Sequence, residues 1–230
     1  MSTGRQQQLF LQDTYRTEVA TIIIDHGVTD DRVWVSPREN IFHPQGGGQP
    51  ADAGLMNGVV VHPVWSRTTE GRVDLVLSDG AERDAIDLQD GARIELVVEA
   101  EGRLRYAALH TAGHILDAAI RRRGYRHLVS NHFPDEARIE FSADGRTEDL
   151  DVLAQEVQKE VEEAIAAAAV VTTSTDGEGR RVVQIGEVST DVCGGTHLRT
   201  SAEITAFSVR SVKVKKGRLK VGYTAEHLHG

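Results

Sequence analysis

The sequence predicts an α+β protein, with a small β-barrel-like domain followed by a domain of two main helices packed on a largely antiparallel sheet. First, residues 1–98 consist mainly of short β-branched segments between clusters of Gly, Pro, Asp and Asn. Second, the sequence changes near residue 100 to an Ala- and Leu-rich helical pattern. Third, strand-like segments return after the second helical stretch. We therefore expect two domains, residues 1–98 and 99–230.

The N-terminal domain is expected to be a small barrel or sandwich, because its strands are short and closely spaced. Val, Ile and Thr favour strands, since their branched side chains pack well on a pleated surface. The intervening segment FHPQGGGQPADAG, residues 42–54, is too rich in Gly and Pro for a regular element. The predicted strands cover residues 19–28, 32–36, 58–65, 72–77 and 93–99.

The C-terminal domain is expected to contain two main helices. Residues 104–124 are predicted to form the first, with a basic last turn and Gly124 as its C-terminal stop. Residues 147–169 are predicted to form the second, because apolar residues recur at intervals of three and four. That apolar stripe consists of Leu150, Leu153, Val157, Val161 and Ile165. The predicted strands cover residues 137–142, 170–175, 181–187, 202–214 and 218–224.

Composition favours a globular protein without a membrane partner. The 230 residues suffice for one large or two modest domains, and 40% of them are hydrophobic. No apolar run approaches the length of about 18 residues that a transmembrane helix needs. The N-terminal MSTGRQQQLFLQD lacks the apolar core of a signal peptide, and the single cysteine excludes an internal disulfide framework. We therefore expect a cytoplasmic protein.

The net charge of −9 argues against a general nucleic-acid coat protein, which would usually be basic. Two local basic clusters nevertheless offer phosphate contacts. The alternatives are a solvated helix end, where arginines complement the helix dipole, and a strand with a charged outer face. The clusters comprise Arg121, Arg122, Arg123 and Arg126 after the first helix, and Arg210, Lys213, Lys215, Lys216, Arg218 and Lys220 near the end.

Two short motifs, HTAGH at 110–114 and CGGTH at 193–197, carry candidate metal ligands. His110 and His114 fall on a predicted helix, where residues i and i+4 share one face. Cys193 and His197 flank a turn whose two glycines allow the backbone to bend. Three imidazoles and a thiolate are a plausible donor set for tetrahedral zinc. The sequence therefore predicts a shared metal site, although each motif alone also fits polar residues at a helix–sheet seam.

Four candidate ligands leave the kind of site open, because a structural zinc is closed by four protein ligands and a catalytic one keeps an open position. His197, the last residue of the turn, is the candidate for leaving the metal and acting as a general base. The other histidines show no comparable spacing except a pair near the C-terminus, which we expect to form an exposed tail. They are His26, His43, His62, His127, His132, His227 and His229.

The GGGQ segment, residues 46–49, is the second signal. Its glycines allow close backbone approach to a ligand, and the Gln49 amide can orient a water or bond a carbonyl. The alternative is a Gly-rich connection between barrel strands. The segment does not match a phosphate-binding loop, because neither the Lys-Ser/Thr pair nor the strand–helix unit is present.

The order of these motifs resembles the editing domain of alanyl-tRNA synthetase and its free-standing relatives, the AlaX proteins. FHPQGGGQPADAG comes first, then HTAGHIL, the strand ARIEFS and finally IGEVSTDVCGGTHLRTSAEITAF. The resemblance covers roughly residues 15–225. Because neither an aminoacylation domain nor an ATP-binding motif is recognised, the chain resembles a stand-alone, trans-acting editor of the medium-length type with an N-terminal β domain.

The resemblance implies ATP-independent hydrolysis of the ester that joins a wrong amino acid to tRNA(Ala), chiefly serine and secondarily glycine, with no DNA partner. It implies a zinc site of His110, His114, Cys193 and His197, with Thr111 and Gln49 as further catalytic residues. The implied substrate-binding residues are Gly46, Gly47, Gly48 and Thr196. To these we add Ser130 and Asn131 from the segment that departs from the family pattern, and Lys213, Lys215 and Lys216 of the basic cluster as phosphate contacts. Thr111 and Thr196 are the candidates for sensing a hydroxyl group.

Three departures from the family pattern put the substrate in question. Gly113 stands where a hydroxyl residue is usual, and we expect it to enlarge the space beside the zinc. The segment HLVSNHFPDE, residues 127–136, replaces an expected Gln- and Gly-containing stretch, with Ser130, Asn131 and His132 as possible substitutes. The strand RLKVGYT lacks an expected second arginine. The competing hypotheses are a zinc hydrolase for another aminoacyl-tRNA or aminoacyl ester, and a non-catalytic, zinc-stabilised tRNA-binding module.

Overall fold

The computed structural model describes residues 5–78, 87–146 and 149–228. The chain divides into two compact units. The first contains the residues up to Gly46 together with Pro50–Arg103, and the second contains Gly47–Gln49 and the chain from Leu104 onward. Gly47–Gln49, which the sequence analysis places in the N-terminal domain, therefore group with the second unit. Within the described residues, no helix is long and apolar enough to cross a membrane.

The first unit is a closed six-stranded barrel, so the predicted barrel-like fold is confirmed. Its strand order is β2-β3-β7-β6-β5-β8, and every neighbouring pair is antiparallel. Closure leaves no unpaired sheet edge. The strands are β1 (Gln7–Gln8), β2 (Glu18–Thr29), β3 (Arg32–Pro37), β4 (Glu39–Asn40), β5 (Gly54–Met56), β6 (Val59–Trp65), β7 (Val73–Leu77) and β8 (Arg93–Val98), with β1 and β4 paired parallel outside the barrel.

Alternating side chains fill the barrel. Ile94, Leu96 and Val98 of β8 are buried, while the residues between them are exposed, as the period of two in a strand requires. Leu9 and Phe10, from a 3-10 turn at Leu9–Leu11, complete the hydrophobic core. That turn and the three shortest strands escaped prediction because segments of two or three residues carry too little periodicity.

A buried ion pair also holds this unit together. The Arg103 guanidinium pairs with the Asp52 carboxylate, and both side chains are fully buried. The same guanidinium donates to the carbonyl oxygens of Thr14 at 3.1 Å and Ile41 at 2.6 Å. Because every group has a partner, this pair fixes the geometry around it without leaving a charge uncompensated.

The second unit contains α1 (Ala100–Arg122) from Leu104 onward and α2 (Leu150–Ala166), together with two antiparallel sheets, so the predicted α+β class is confirmed. The larger sheet has the order β14-β15-β10-β9, and the smaller has the order β11-β12-β13. The strands are β9 (Arg126–Asn131), β10 (Arg138–Ser142), β11 (Val171–Thr175), β12 (Arg181–Ile185), β13 (Ser189–Val192), β14 (Ile204–Lys215) and β15 (Arg218–His227).

The helices differ in detail from prediction. α1 begins at Ala100 rather than residue 104, and almost its whole surface from Ala107 to Ile120 is buried. α2 is capped by Asp149, whose side chain accepts hydrogen bonds from two backbone N–H groups in the first turn. Its core stripe is Leu153, Val157 and Val161, whereas Leu150 and Ile165 are only half-buried. Residues 147 and 148 of the predicted helix lie outside the described residues.

Ion pairs occupy much of the arginine cluster that follows the first helix. The guanidinium of Arg122 donates to Glu160 of α2 at 2.8 Å, and Arg123 pairs with the same carboxylate. Despite partial burial, these two arginines lower the pKa of Glu160. These contacts favour a structural role over phosphate binding. On the β14–β15 hairpin, by contrast, Lys213, Lys215 and Lys216 are exposed.

β9 and β13 were not predicted. β9 carries exposed and half-buried side chains without strict alternation, and β13 is only four residues long. Both strands are fixed by their neighbours, since β9 pairs with β10 and β13 pairs with β12. Local sequence alone therefore gave too weak a signal for either strand.

Replacing Arg103 by methionine should destabilise the protein by about 3–5 kcal/mol, because the Asp52 carboxylate stays buried without its charge partner. Urea unfolding of the full chain measures the effect. Arg67→Met is the matched control, since Arg67 pairs with Asp30 on the surface and should cost no more than about 1 kcal/mol. Equal small losses in both variants would contradict the assigned role of the buried pair.

Candidate metal centre and its cavity

The four predicted metal ligands converge in the second unit. His110 and His114 lie one turn apart on α1, with ring centroids 5.2 Å apart and an interplanar angle of 18°. Cys193 follows the last residue of β13, and the turn beyond it brings back His197. One ligand atom from each of the four lies within 4.8 Å of all the others. The sequence-predicted cluster therefore exists as a compact group.

The separations within this group suit a tetrahedral metal. Cys193 Sγ lies 3.4 Å from His110 Nε2 and 3.3 Å from His197 Nε2. Zinc–nitrogen bonds of about 2.0–2.1 Å and zinc–sulfur bonds of about 2.3 Å place tetrahedral neighbours roughly 3.5 Å apart. Three nitrogens and one sulfur are also a donor set that zinc accepts. The residues present therefore fit a zinc ion.

Each imidazole of the cluster is oriented through its other ring nitrogen. His110 Nδ1 lies 2.8 Å from Gln49 Oε1, and His114 Nδ1 lies 3.3 Å from Asp191 Oδ2. His197 Nδ1 lies 3.3 Å from the Thr111 hydroxyl. This arrangement leaves each Nε2 as the ligand atom, and such supporting contacts typically fix the ring orientation and tautomer of metal-binding histidines.

Gln49 determines the tautomer of His110. Its Oε1 accepts the backbone N–H of Thr196 at 3.0 Å, which identifies this atom as the amide oxygen. An oxygen of this kind cannot donate, so His110 Nδ1 must carry the proton and Nε2 keeps its lone pair. The amide nitrogen donates to the Thr196 hydroxyl at 2.8 Å. Gln49 is fully buried and acts through His110.

Charged neighbours shift the pKa values of side chains in the cluster. Burial opposes protonation of His114, but the hydrogen bond to Asp191 and the nearby thiol raise its pKa to about 9. His114 in turn holds the pKa of Asp191 well below its usual range. Burial opposes ionisation of Cys193, yet His114 and a backbone N–H lower the pKa of its thiol. The site therefore favours a thiolate, the form that binds metal.

The CGGTH turn depends on one of its two glycines. A Cβ on Gly195 would lie 2.1 Å from His110 Cε1 and 2.8 Å from Gln49 Oε1, whereas a Cβ on Gly194 would meet nothing within 4 Å. Arg181 binds this turn from the smaller sheet, donating to the carbonyl oxygens of Cys193 at 2.8 Å and Gly195 at 3.0 Å. Gly195 therefore lets the turn approach His110 closely, and Arg181 holds the turn in place.

A cavity of about 590 Å³ adjoins the cluster. Three of the four candidate ligands line it, together with glycines of the GGGQ loop, residues of β9 and a group of charged side chains. In that charged group, Asp117 accepts from His127 at 2.7 Å and Arg121 at 2.7 Å, and Arg121 donates to Asp191 at 2.9 Å. A cavity of this volume, with a few polar and charged groups in its lining, is typical of ligand sites.

The sequence-predicted site residues fall into three groups. His110, His114, Cys193, Gly47, Gly48 and Ser130 line the cavity. A second group is buried and does not line the cavity, and its side chains contact one another or the cluster. It consists of His197, Thr111, Gln49 and Thr196. The remaining residues lie elsewhere: Gly46 groups with the first unit, Asn131 accepts the backbone N–H of Phe133, and Lys213, Lys215 and Lys216 are exposed on the hairpin.

Several cavity residues lie outside the predicted site, and His132 is predicted only as a possible substitute within the altered segment 127–136. His132 stacks on His110 with ring centroids 4.3 Å apart, and burial lowers its pKa to about 3. Asp191 stands two residues before Cys193 in the sequence TDVC, but no spacing rule marked it as the partner of His114. Asp117, Arg121 and His127 come from α1 and β9, so only the pairing of these elements in space reveals their contact.

The expectation that Gly113 enlarges the space beside the zinc is wrong. A Cβ at this position would lie 2.5 Å from His132 Cε1 and 2.6 Å from Tyr223 Oη. The space that the missing side chain leaves is therefore filled by protein. Gly113 admits His132 to the cluster rather than admitting a larger substrate.

Replacing Gly195 by alanine should reduce zinc affinity at least about tenfold, because the added Cβ displaces His110 or Gln49. Gly194→Ala is the matched control in the same turn and should bind zinc as the wild type does. Competition with a chromogenic chelator measures both affinities. Similar affinities for the two variants would refute the packing argument.

Gln49→Ala should reduce zinc affinity by about 10- to 100-fold, since it removes the group that fixes the tautomer and orientation of His110. The control is Gln45→Ala, which alters an exposed glutamine of the same loop. Zinc titration followed by calorimetry reports both values. Wild-type affinity in the Gln49 variant would rule out this supporting role.

The comparisons with known proteins agree with the motifs. Residues 181–219 match the family model described as threonyl and alanyl tRNA synthetase second additional domain. The AlaX-L alanyl-tRNA editing protein of Pyrococcus horikoshii is 29% identical over 95% of this chain, which spans only 57% of that relative's length. The AlaX-M editing protein of Methanosarcina acetivorans is 26% identical over 90% of the chain and 93% of its own length.

The alanine–tRNA ligase of Methylococcus capsulatus is 30% identical over 74% of the chain, a match that covers 22% of the ligase. Similarity to the free-standing proteins thus extends along nearly the whole chain, whereas similarity to the ligase is confined to a part of that enzyme. These findings confirm the resemblance of this chain to the alanyl-tRNA synthetase editing domains and to the free-standing AlaX editing proteins.

Proposed function

We propose that this protein is a zinc-dependent aminoacyl-tRNA deacylase that acts in trans on mischarged tRNA(Ala), with serine as its main substrate and glycine as the second. Similarity to alanyl-tRNA editing proteins along most of the chain supports the tRNA substrate. The observation that carries the chemistry is the group of three imidazoles and one thiol beside a cavity of ligand-binding size. A metal-binding group that borders a cavity suits catalysis better than a purely structural role.

Zinc is the metal that the donor set favours, and when bound it would supply Lewis acidity toward an ester carbonyl or a water molecule. His110, His114 and Cys193 would hold it from the side that borders the cavity. We assign His197 as the fourth ligand rather than as a general base. Its Nε2 contacts Cys193 Sγ and its Nδ1 contacts Thr111, and the side chain is buried behind the cluster.

Several residues of the predicted site act by positioning. Gln49 orients His110, and Asp191 orients His114. The Thr111 hydroxyl accepts the backbone N–H of Leu198 at 3.1 Å and contacts His197, so it is committed to holding the turn. Because Thr196 is similarly bound to Gln49, we assign neither threonine to reading a substrate hydroxyl.

The need for such an enzyme follows from the limits of an alanine-binding site. A pocket shaped for a methyl side chain discriminates poorly against a hydrogen atom or one added hydroxyl group. A second site that favours the hydroxyl corrects the serine error. The exposed Lys213, Lys215 and Lys216 are proposed to contact tRNA phosphates, because lysine side chains on a hairpin can reach a nucleic-acid backbone without further rearrangement.

The purified zinc-loaded protein should hydrolyse Ser-tRNA(Ala) quickly and spare Ala-tRNA(Ala), as followed by release of labelled amino acid. Cys193→Ala should lose bound zinc and at least about 99% of the activity, because the only thiol of the metal set is gone. Thr190→Ala, an exposed position on the strand leading to the turn, is the control and should behave as wild type.

Metal removal provides a second measurement in the same assay. A strong chelator should abolish hydrolysis, and added zinc should restore it if circular dichroism shows that the fold persists. Full activity in metal-free Cys193→Ala would overturn the zinc chemistry. Tight tRNA binding without any turnover by zinc-loaded wild type would instead establish a binding module, and turnover of a different aminoacyl-tRNA alone would replace the proposed substrate.

A further inference from the structure

His132 is a buried side chain beside the metal centre to which the proposed chemistry so far gives no role. It follows β9, and its backbone N–H donates to the carbonyl oxygen of Gly48 at 2.8 Å. Its ring lies against His110, with centroids 4.3 Å apart and planes inclined by 23°. The side chain is only 3% exposed and lines the cavity. A polar group in this position faces whatever the cavity binds.

Hydrogen bonds fix the tautomer of this imidazole. His132 Nδ1 lies 2.6 Å from Tyr223 Oη, and the same hydroxyl donates to the carbonyl oxygen of Leu109 at 2.9 Å. A tyrosine hydroxyl has one proton, and a carbonyl oxygen can only accept. With the tyrosine proton directed to Leu109, His132 Nδ1 is assigned as the donor to the tyrosine oxygen. The proton lies on Nδ1, and Nε2 carries a lone pair.

The orientation of the ring directs that lone pair into the cavity. Cε1 faces Gly113 and Cδ2 faces Gly48, since Cβ atoms built on those glycines would lie 2.5 Å and 3.2 Å from these carbons. Nε2 is the ring atom between them, and both glycines line the cavity. Among the described residues, Nε2 of His132 has no hydrogen-bond partner. In the described part of the chain, the fully buried side-chain nitrogen without a hydrogen-bond partner is Arg72 Nε. Nε2 of His132 is therefore open to the cavity, where a ligand or water can donate to it.

We propose that Nε2 of His132 accepts a hydrogen bond from the side-chain hydroxyl of the aminoacyl group, and that this contact selects serine over glycine and alanine. The inference rests on the proposed function and deepens it. Serine supplies the donor that the acceptor lacks, whereas hydrogen and methyl side chains leave it unpaired. Sites built around such a bond discriminate strongly against analogues that lack the hydroxyl.

The test separates the two ring nitrogens. In His132→Asn the amide can take the place of Nδ1 and contact Tyr223, but nothing remains at the position of Nε2. In His132→Gln the longer side chain can place its amide oxygen near that position. The measurements are kcat/KM for Ser-tRNA(Ala) and Gly-tRNA(Ala), zinc content, and binding of 3′-serylamido and 3′-glycylamido analogues of adenosine, which cannot be hydrolysed at the ester position.

His132→Asn should lower kcat/KM for Ser-tRNA(Ala) by about 10- to 100-fold and leave Gly-tRNA(Ala) within about threefold of wild type. Affinity for the seryl analogue should fall together with this kcat/KM, while zinc content stays unchanged. His132→Gln should retain most of the serine preference. The proposal is overturned if kcat/KM falls equally for the serine and glycine substrates, which would indicate an acceptor for the α-ammonium group. It is also overturned if kcat/KM changes for neither substrate.

Tyr223→Phe tests the proposal without altering His132, should the asparagine variant lose zinc or fail to fold. Removing the hydroxyl releases Nδ1 from its acceptor, so the preference for serine over glycine should narrow by several-fold. An unchanged preference would contradict the proposed tautomer. If wild type hydrolyses neither substrate, the proposed function fails, whereas normal wild-type editing with indifferent variants removes only the role of His132.

Discussion

Three imidazole rings present Nε2 to one thiol because a separate group holds each Nδ1. Gln49, Asp191 and Thr111 perform that task, and they come from a Gly-rich loop, a short strand and α1. An imidazole without such a partner can rotate or change tautomer, and its lone pair then leaves the common point. The geometry of the metal set thus depends on how the surrounding elements are packed, and the ligands alone would not maintain it.

Close packing of backbone around the cluster is the second constraint. Gly195 lets the CGGTH turn approach His110, and Gly113 admits His132 against α1. Neither position has room for a methyl group. The backbone therefore fills the space that side chains occupy elsewhere, and the rings of His110 and His132 stack in contact. This packing explains how a cluster of ionisable groups is buried while each nitrogen still has a defined role.

Two kinds of polar side chain line the cavity beside the cluster. One group of residues is charged and mutually paired, with Arg121 joining Asp117 to Asp191. His132 contributes instead a neutral acceptor without a partner among the described residues. For the proposed recognition of one hydroxyl group, a neutral acceptor is better suited than a carboxylate, because a carboxylate would also attract the α-ammonium group of every amino acid.

The sequence by itself determined the α+β class, the barrel, the long helices and the four candidate ligands, because periodicity and i, i+4 spacing are local properties. Only the tertiary structure revealed Asp191, the contact of His132 with His110 and the second-unit position of Gln49, since these contacts join elements up to 147 residues apart. The structure also overturned the expectation that Gly113 enlarges the space beside the zinc. A sequence shows that a side chain is missing, but packing between α1, β15 and the segment after β9 decides what fills the space.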